Sequence, residues 1–333
     1  MTVGAHRRHT ATRYCAYGHV LSCNSPLPEL ERTLAPPFPE HTDLHIRFSS
    51  PEEHLPIPAT WYRTVSLADG TPWLRSAKIA SGYLLEFPDL AAFVFTPSDN
   101  SIQCIPHGHT PSHTLHHLLL DQVLPLALNH RGKEVLHGAA VVTPYGSCAF
   151  VGPTGSGKST LAASFLSSGY SVLADDCVVL EACGEDIVTI PSYPGLRLWD
   201  EAIDVLFGKT GRYAPVAHYT PKQRFNSAVS ASTFHSSAVP LAGIYLLESL
   251  VGRHAASASL IQRPLLGKRD ALMTLLSQAF KLDIADQRML TQEFEFLHRL
   301  VNRIPVRRLF IPKSFHALPE VRAGILQDLS NSC

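Results

Sequence analysis

No stretch of this 333-residue chain reaches the roughly 18–20 apolar residues that a membrane-spanning helix requires. A membrane partner is therefore not expected. The first residues, MTVGAHRRHTATRYCAYGHVLSC, also lack the apolar core of a secretory signal. Together these absences give the expectation of a soluble, cytoplasmic protein. An excess of charge of one sign is missing too, because 28 basic side chains balance 28 acidic ones. General nucleic-acid binders carry a basic excess, so that class is excluded. The seven cysteines form no C-x-x-C pair. Their odd number suits a reducing compartment better than a disulfide framework. No internal repeat is present.

What the chain does have is enough apolar material, 45% of its residues, to bury a full core. Residues 24–60 carry eight prolines, which exclude long helices there. DLHIRFSS (43–50) alternates like a strand, and residues 80–106 read as two or three strands with a turn at Ser98-Asp99-Asn100. The pattern turns helical from Ser112 to about Asn129, with Pro125 expected to kink or divide the run. Five histidines and a cysteine in CIPHGHTPSHTLHH (104–117) lack the spacing of a structural zinc site and read as a polar loop entering that helix.

After residue 133 strands and helices interleave. VLHGAAVV and SCAFVG are strands joined by TPYG, and STLAASFLSSG is a helix that Gly169 closes. YSVLA is a strand, and CVVLE and DIVTI are a hairpin across ACGE. PLAGIYLLE and VRRLFIP are later strands, with helices near 268–281, 287–303 and 314–329, the last with Ser314 as its N-cap. This gives two domains: a β-rich 1–130, which offers a docking module for a substrate, and an α/β domain over 131–333.

GPTGSGKS matches the phosphate-binding loop at every defined position: Gly152, Gly157, Lys158 and Ser159. A chance match in a chain of this length is on the order of 1%. An apolar strand leads in and a helix leads out, as the chemistry requires. Glycines let backbone N–H groups turn inward around a phosphate, and the helix start adds positive potential. Gly152, Thr154, Gly155, Ser156, Gly157, Lys158, Ser159 and Thr160 are thus the expected nucleotide-binding residues, with the Ser159 hydroxyl placed to ligate magnesium.

Seventeen residues beyond Lys158 stand Asp175 and Asp176, between two apolar runs. A strand after the phosphate-loop helix can run parallel to the strand before it, which brings the acidic pair back to the phosphate side. Adjacent strand residues point to opposite faces, so the two carboxylates are expected to have different tasks. One binds magnesium and the other takes the proton of an attacking hydroxyl. His137, on the preceding strand, can approach the γ-phosphate or the acidic pair. Arg197, in an apolar LRLW run, and Lys222 and Arg224 are candidates for stabilising charge on a transferring phosphoryl group.

The stretches LHGAAV (136–141), FVGPTGSGKSTLAASFLSSGY (150–170), VLADDCVVLE (172–181) and YPGLRLW (193–199) together resemble the HPr kinase/phosphorylase family, specifically its divergent HPr-kinase-like members. The resemblance covers roughly residues 130–330. It implies a P-loop kinase core of the HPr kinase/phosphoenolpyruvate carboxykinase type, ATP and Mg²⁺ as cofactors, and phosphorylation of a serine hydroxyl. Asp175, Asp176, His137, Lys158 and Arg197 become the catalytic set, with Asp175 favoured as base and Asp176, beside Ser159, as metal partner. Relatives assemble into oligomers, which makes a homo-oligomer one candidate state, but the segments that depart from the family leave the oligomeric state of this chain open. The acidic residue that precedes the arginine in true HPr kinases is absent from SYPGLRLWDE. Relatives with YPGLRLW include lasso-peptide precursor kinases, which makes a ribosomal precursor peptide the leading substrate. The alternatives are a kinase or carboxykinase-like enzyme acting on a small molecule, and a kinase of an HPr-type carrier protein.

Overall fold

Residues 11–33, 41–208, 213–225, 233–249, 261–312 and 314–332 are described by the computed structural model. The proline-rich residues 34–40 and Cys333 lie outside them. The chain divides into two compact units, Met1–Leu119 and Leu120–Cys333. Among the described residues no helix is long and apolar enough to cross a membrane.

The first unit is built on one eight-stranded sheet. Its strands are β1 (Thr12–Ala16), β2 (His19–Cys23), β3 (Leu44–Phe48), β4 (Arg63–Ser66), β5 (Pro72–Ile79), β6 (Gly82–Phe87), β7 (Ala91–Thr96) and β8 (Ser101–Pro106). Their order is β1-β2-β3-β8-β7-β6-β5-β4. β3 lies parallel to both of its neighbours, and the remaining pairs are antiparallel. The β1–β2 hairpin turns at Tyr17 and Gly18, both at positive φ, the twist that suits a two-residue turn. No Asn-Gly marks it, so the sequence reading misses this hairpin. It also misses β4 and β5. The helix α1 (Ser112–Leu118) follows the histidine-rich loop.

A π-turn at Leu119–Val123 leads the chain from the first unit into the second, which continues as α2 (Leu124–His130). Pro125 explains the turn, because it has no N–H to offer the carbonyl four residues earlier. That carbonyl belongs to Asp121, and the Cys177 thiol donates to it instead at 3.4 Å.

The sheet that follows comprises β9 (Glu134–Thr143), β10 (Gly146–Val151), β11 (Val172–Ala174), β12 (Cys177–Cys183), β13 (Asp186–Ile190), β17 (Val239–Ser249) and β18 (Val306–Ile311). The first half of β9 pairs with β12 and the second half with β10 and β11. β11 therefore runs parallel to β10, as expected, with β9 between them. β10, β17 and β18 are mutually parallel.

Alternation along β10 sends Phe150 to one face and Ala149 and Val151 to the other. Phe150 meets α3 (Lys158–Leu166) and α7 (Leu318–Ser330) through Leu161, Phe165, Val321 and Ile325. Opposite it, Leu275 of α5 (Lys268–Gln278) and Leu297 and Leu300 of α6 (Gln287–Arg303) cover the second face. The unit is thus α/β, with helices on both faces of a large sheet.

Two details depart from the sequence reading. The last helix begins with a 3₁₀ turn at Phe315–Ala317, and the Ser314 side chain makes no capping hydrogen bond. A separate three-stranded sheet, β14 (Leu196–Leu198), β15 (Ala214–Ala217) and β16 (Thr220–Phe225), was not foreseen as a sheet; α4 (Asp200–Phe207) follows its first strand. Gly169 does close α3. At positive φ it lets its own N–H reach Leu166 O and the Tyr170 N–H reach Phe165 O, both near 3 Å.

Candidate active site

The loop 152–157 leaves β10 and delivers Lys158 as the first residue of α3. Gly152, Gly155 and Gly157 all take positive φ. A Cβ on Gly152 would stand 2.8 Å from Leu247 O, so only glycine lets the loop pass β17. Around Gly155 and Gly157 there is open space instead. The Ser156 hydroxyl is buried without a hydrogen-bond partner. Thr154 stands exposed at the loop tip, and Ser159 and Thr160 are half-buried on the first turn of α3. Open space over glycines, an unpartnered buried hydroxyl and a helix start fit a phosphate group.

Lys158 is buried and folds back over the loop, donating to Gly152 O at 2.8 Å and Pro153 O at 3.0 Å. Burial lowers its pKa to about 8, against the opposing pull of Asp176 and Asp175.

Neither carboxylate of the acidic pair lies on a strand. Both occupy the bend between β11 and β12, and Asp176 adopts a left-handed φ of 65°. Aspartate tolerates this conformation better than most residues. The bend turns Asp176 O toward β9, where it accepts from the Gly138 N–H at 3.1 Å and from His137 Nδ1 at 3.0 Å. Strand alternation therefore does not separate the two side chains; the bend does.

Asp175 is fully buried, and both its oxygens are engaged. Oδ1 accepts the Ser159 hydroxyl at 2.8 Å, and Oδ2 accepts the Arg197 backbone N–H at 2.7 Å. Burial, then the neighbouring Asp176, raise its pKa. The Asp176 side chain is less enclosed, 14% exposed against 1% for Asp175. Burial pushes its pKa up as well, but the Arg197 guanidinium 3.5 Å away, with Lys222 and His137, holds it below the usual carboxylate range. Ser159 thus contacts Asp175 rather than Asp176.

The expected phosphate-facing residue Arg197 lies beneath the pair, fully buried. Its guanidinium donates to Asp121 Oδ1 at 2.8 Å, lies 3.7 Å from Asp175 Oδ2 and sits 4.7 Å over the Tyr193 ring. The Tyr193 hydroxyl donates to the same Asp121 oxygen. Burial opposes the charge on Arg197, yet Asp121 foremost holds its pKa well above the ordinary value. Asp121 and Tyr193 are site residues that sequence reasoning missed. Pro125 was the available signal for Asp121, since it forces the π-turn that carries this carboxylate.

His137 sits on β9 with its ring edge-on to Phe280. Burial, then Lys158, lower its pKa, so the ring is neutral near pH 7. A carbonyl oxygen only accepts, so Nδ1 carries the proton and Nε2 keeps its lone pair. The site accordingly brings together Lys158, Ser159, Asp175, Asp176, His137 and Arg197. The Ser159 hydroxyl and the acidic pair form a set of hard oxygen donors that suits Mg²⁺.

No protein-family model matches the sequence, and no curated protein matches it. Among solved structures, the HPr(Ser) kinase/phosphatase from Coxiella burnetii aligns over 60% of this chain and 99% of its own, at 11% identity and a TM-score of 0.32.

Proposed function

We propose that this chain is a Mg²⁺- and ATP-dependent kinase that phosphorylates a serine hydroxyl of a peptide or protein. A ribosomal precursor peptide of the lasso type is the leading substrate. The observation that carries the reading is the 2.8 Å contact between the Ser159 hydroxyl and Asp175, set at the start of the phosphate-loop helix. P-loop enzymes hold Mg²⁺ with this serine and an aspartate at the end of an apolar strand. Ser159 and Asp175 would hold the ion, and its charge would then offset that of the β- and γ-phosphates.

The loop N–H groups and Lys158 bind the phosphates, for which Lys158 leaves the carbonyls of Gly152 and Pro153. Asp176 is the more exposed carboxylate and is ionised, so it takes the proton of the incoming serine hydroxyl. This assigns the two aspartates in the opposite order to the one favoured from sequence. The serine oxygen forms its bond to the γ-phosphorus as the bond to the β,γ-bridging oxygen breaks, and ADP leaves with that electron pair. Arg197 acts through the carboxylates, as a positioning residue. His137 fixes the Asp176 backbone by its hydrogen bond. The YPGLRLW stretch supports a peptide acceptor.

The test is mass spectrometry of a precursor peptide encoded beside this gene, after incubation with the protein, ATP and Mg²⁺. A gain of one phosphate on a serine is expected. An unchanged peptide mass, with ATP bound, would remove the peptide-kinase reading.

A further inference from the structure

The three-stranded sheet carries a cation that the mechanism above does not use. In the β14–β16 ladder Arg197 stands opposite Arg224 and Leu198 opposite Gln223. Directly paired residues share a face, and so do residues two apart on one strand. Arg197, Arg224 and Lys222 therefore line the same face, the one from which Arg197 reaches the acidic residues. The Lys222 backbone N–H is tied to the Thr220 hydroxyl at 3.3 Å, which fixes the start of β16. Among the described residues its ammonium makes no hydrogen bond and no ion pair. Its charge is nevertheless felt at Lys158, His137 and Asp176, three groups from three different elements around the phosphate loop. The other cation on the acidic cluster, Arg197, is already taken up by Asp121.

We propose that Lys222 is a catalytic residue that contacts the terminal phosphoryl group of ATP through its ammonium. The proposal rests on the kinase reading above. Lys222 changes no bond: the phosphoryl group moves from the bridging oxygen to the serine oxygen and the serine proton goes to Asp176. Its contribution is to stabilise charge on the phosphoryl oxygens. Its partner would be the terminal phosphate, the group that ATP has and ADP lacks.

The experiment compares binding of ADP and of a β,γ-imido ATP analogue, with Mg²⁺, to the full-length protein and to Lys222→Ala and Lys222→Arg. Lys222→Ala is expected to weaken the analogue about tenfold to a hundredfold, the scale of one charged hydrogen bond, and to leave ADP affinity as it was. Lys222→Arg should restore most of the loss. Lys222→Met keeps the apolar stem and makes the same comparison if the alanine variant does not fold. Equal affinities for the analogue in wild type and variant, or an equal loss for both nucleotides, would overturn the proposal. If the wild-type protein bound neither nucleotide, the kinase reading itself would fall, and this inference with it.

Discussion

Asp121 Oδ1 accepts a hydrogen bond from the Arg197 guanidinium at 2.8 Å, with both side chains wholly out of water. A buried ion pair is costly to half-remove, because the remaining charge has no compensation. Asp121→Ala should therefore destabilise the second unit by about 3–5 kcal/mol. Denaturant unfolding followed by fluorescence would show it as a fall in midpoint. The milder Asp121→Asn keeps an acceptor for Tyr193 and should lose less. A midpoint unchanged in Asp121→Ala would mean that the pair does not anchor Arg197.

The two aspartates should separate experimentally. Asn at 176 tolerates the left-handed backbone and removes only the charge. Asp176→Asn is expected to lower phosphoryl transfer by about 10²–10⁴-fold, the range of general-base catalysis, with nucleotide affinity retained. Asp175→Asn should instead weaken the dependence of nucleotide binding on Mg²⁺. Calorimetric titration beside a transfer assay distinguishes the two patterns, and the reverse pattern would restore the order favoured from sequence.

Lys158 gives a pH dependence with a definite sign. Its pKa in the nucleotide-free protein is lowered to about 8. Only the protonated amine attracts phosphate, so ADP affinity should fall as pH rises through 8, by at most about tenfold per unit. Lys158→Met should bind weakly and without this slope. Because burial lowers a base pKa, Lys158 costs the fold stability below about pH 8, and the cost fades as pH rises toward 10.5.

Glu134, at the start of β9, is 4% exposed, and its Oε1 has no hydrogen-bond partner. Burial, then Glu293, raise its pKa well above 4.5, against the pull of Lys281. A carboxyl raised in the folded state loses stability as pH climbs above its unfolded value. Glu134→Gln should thus stabilise the protein more at pH 8 than at pH 5. Thermal melting at the two values checks this, and an equal gain at both would refute it.

The parts of the site legible in the sequence are those a local pattern encodes. GPTGSGKS carries its strand, loop and helix within a few residues, and the acidic pair stands out between apolar runs. What stayed hidden depends on contacts distant along the chain. Asp121 reaches Arg197 only because Pro125 widens the helix at that carboxylate, and no spacing rule links the two. The order of roles in the pair was unreadable for a different reason. Alternation presupposes a strand, whereas Asp176 sits in a bend whose left-handed backbone is set by hydrogen bonds from Gly138 and His137. The three-stranded sheet escaped because β14 is only three residues long, β15 runs from two exposed residues to two buried ones, and half of β16 is half-buried, so neither β15 nor β16 alternates.

The central claim is that Ser159, Asp175 and Asp176 form one phosphoryl-transfer site. The measurement that tests it most directly is transfer of the γ-phosphate of labelled ATP to a serine-containing precursor peptide by the wild-type protein and by Asp176→Asn. Label on the peptide serine with wild type, and its loss in a variant that still binds ATP, is the expected result. Undiminished labelling by Asp176→Asn would contradict the account.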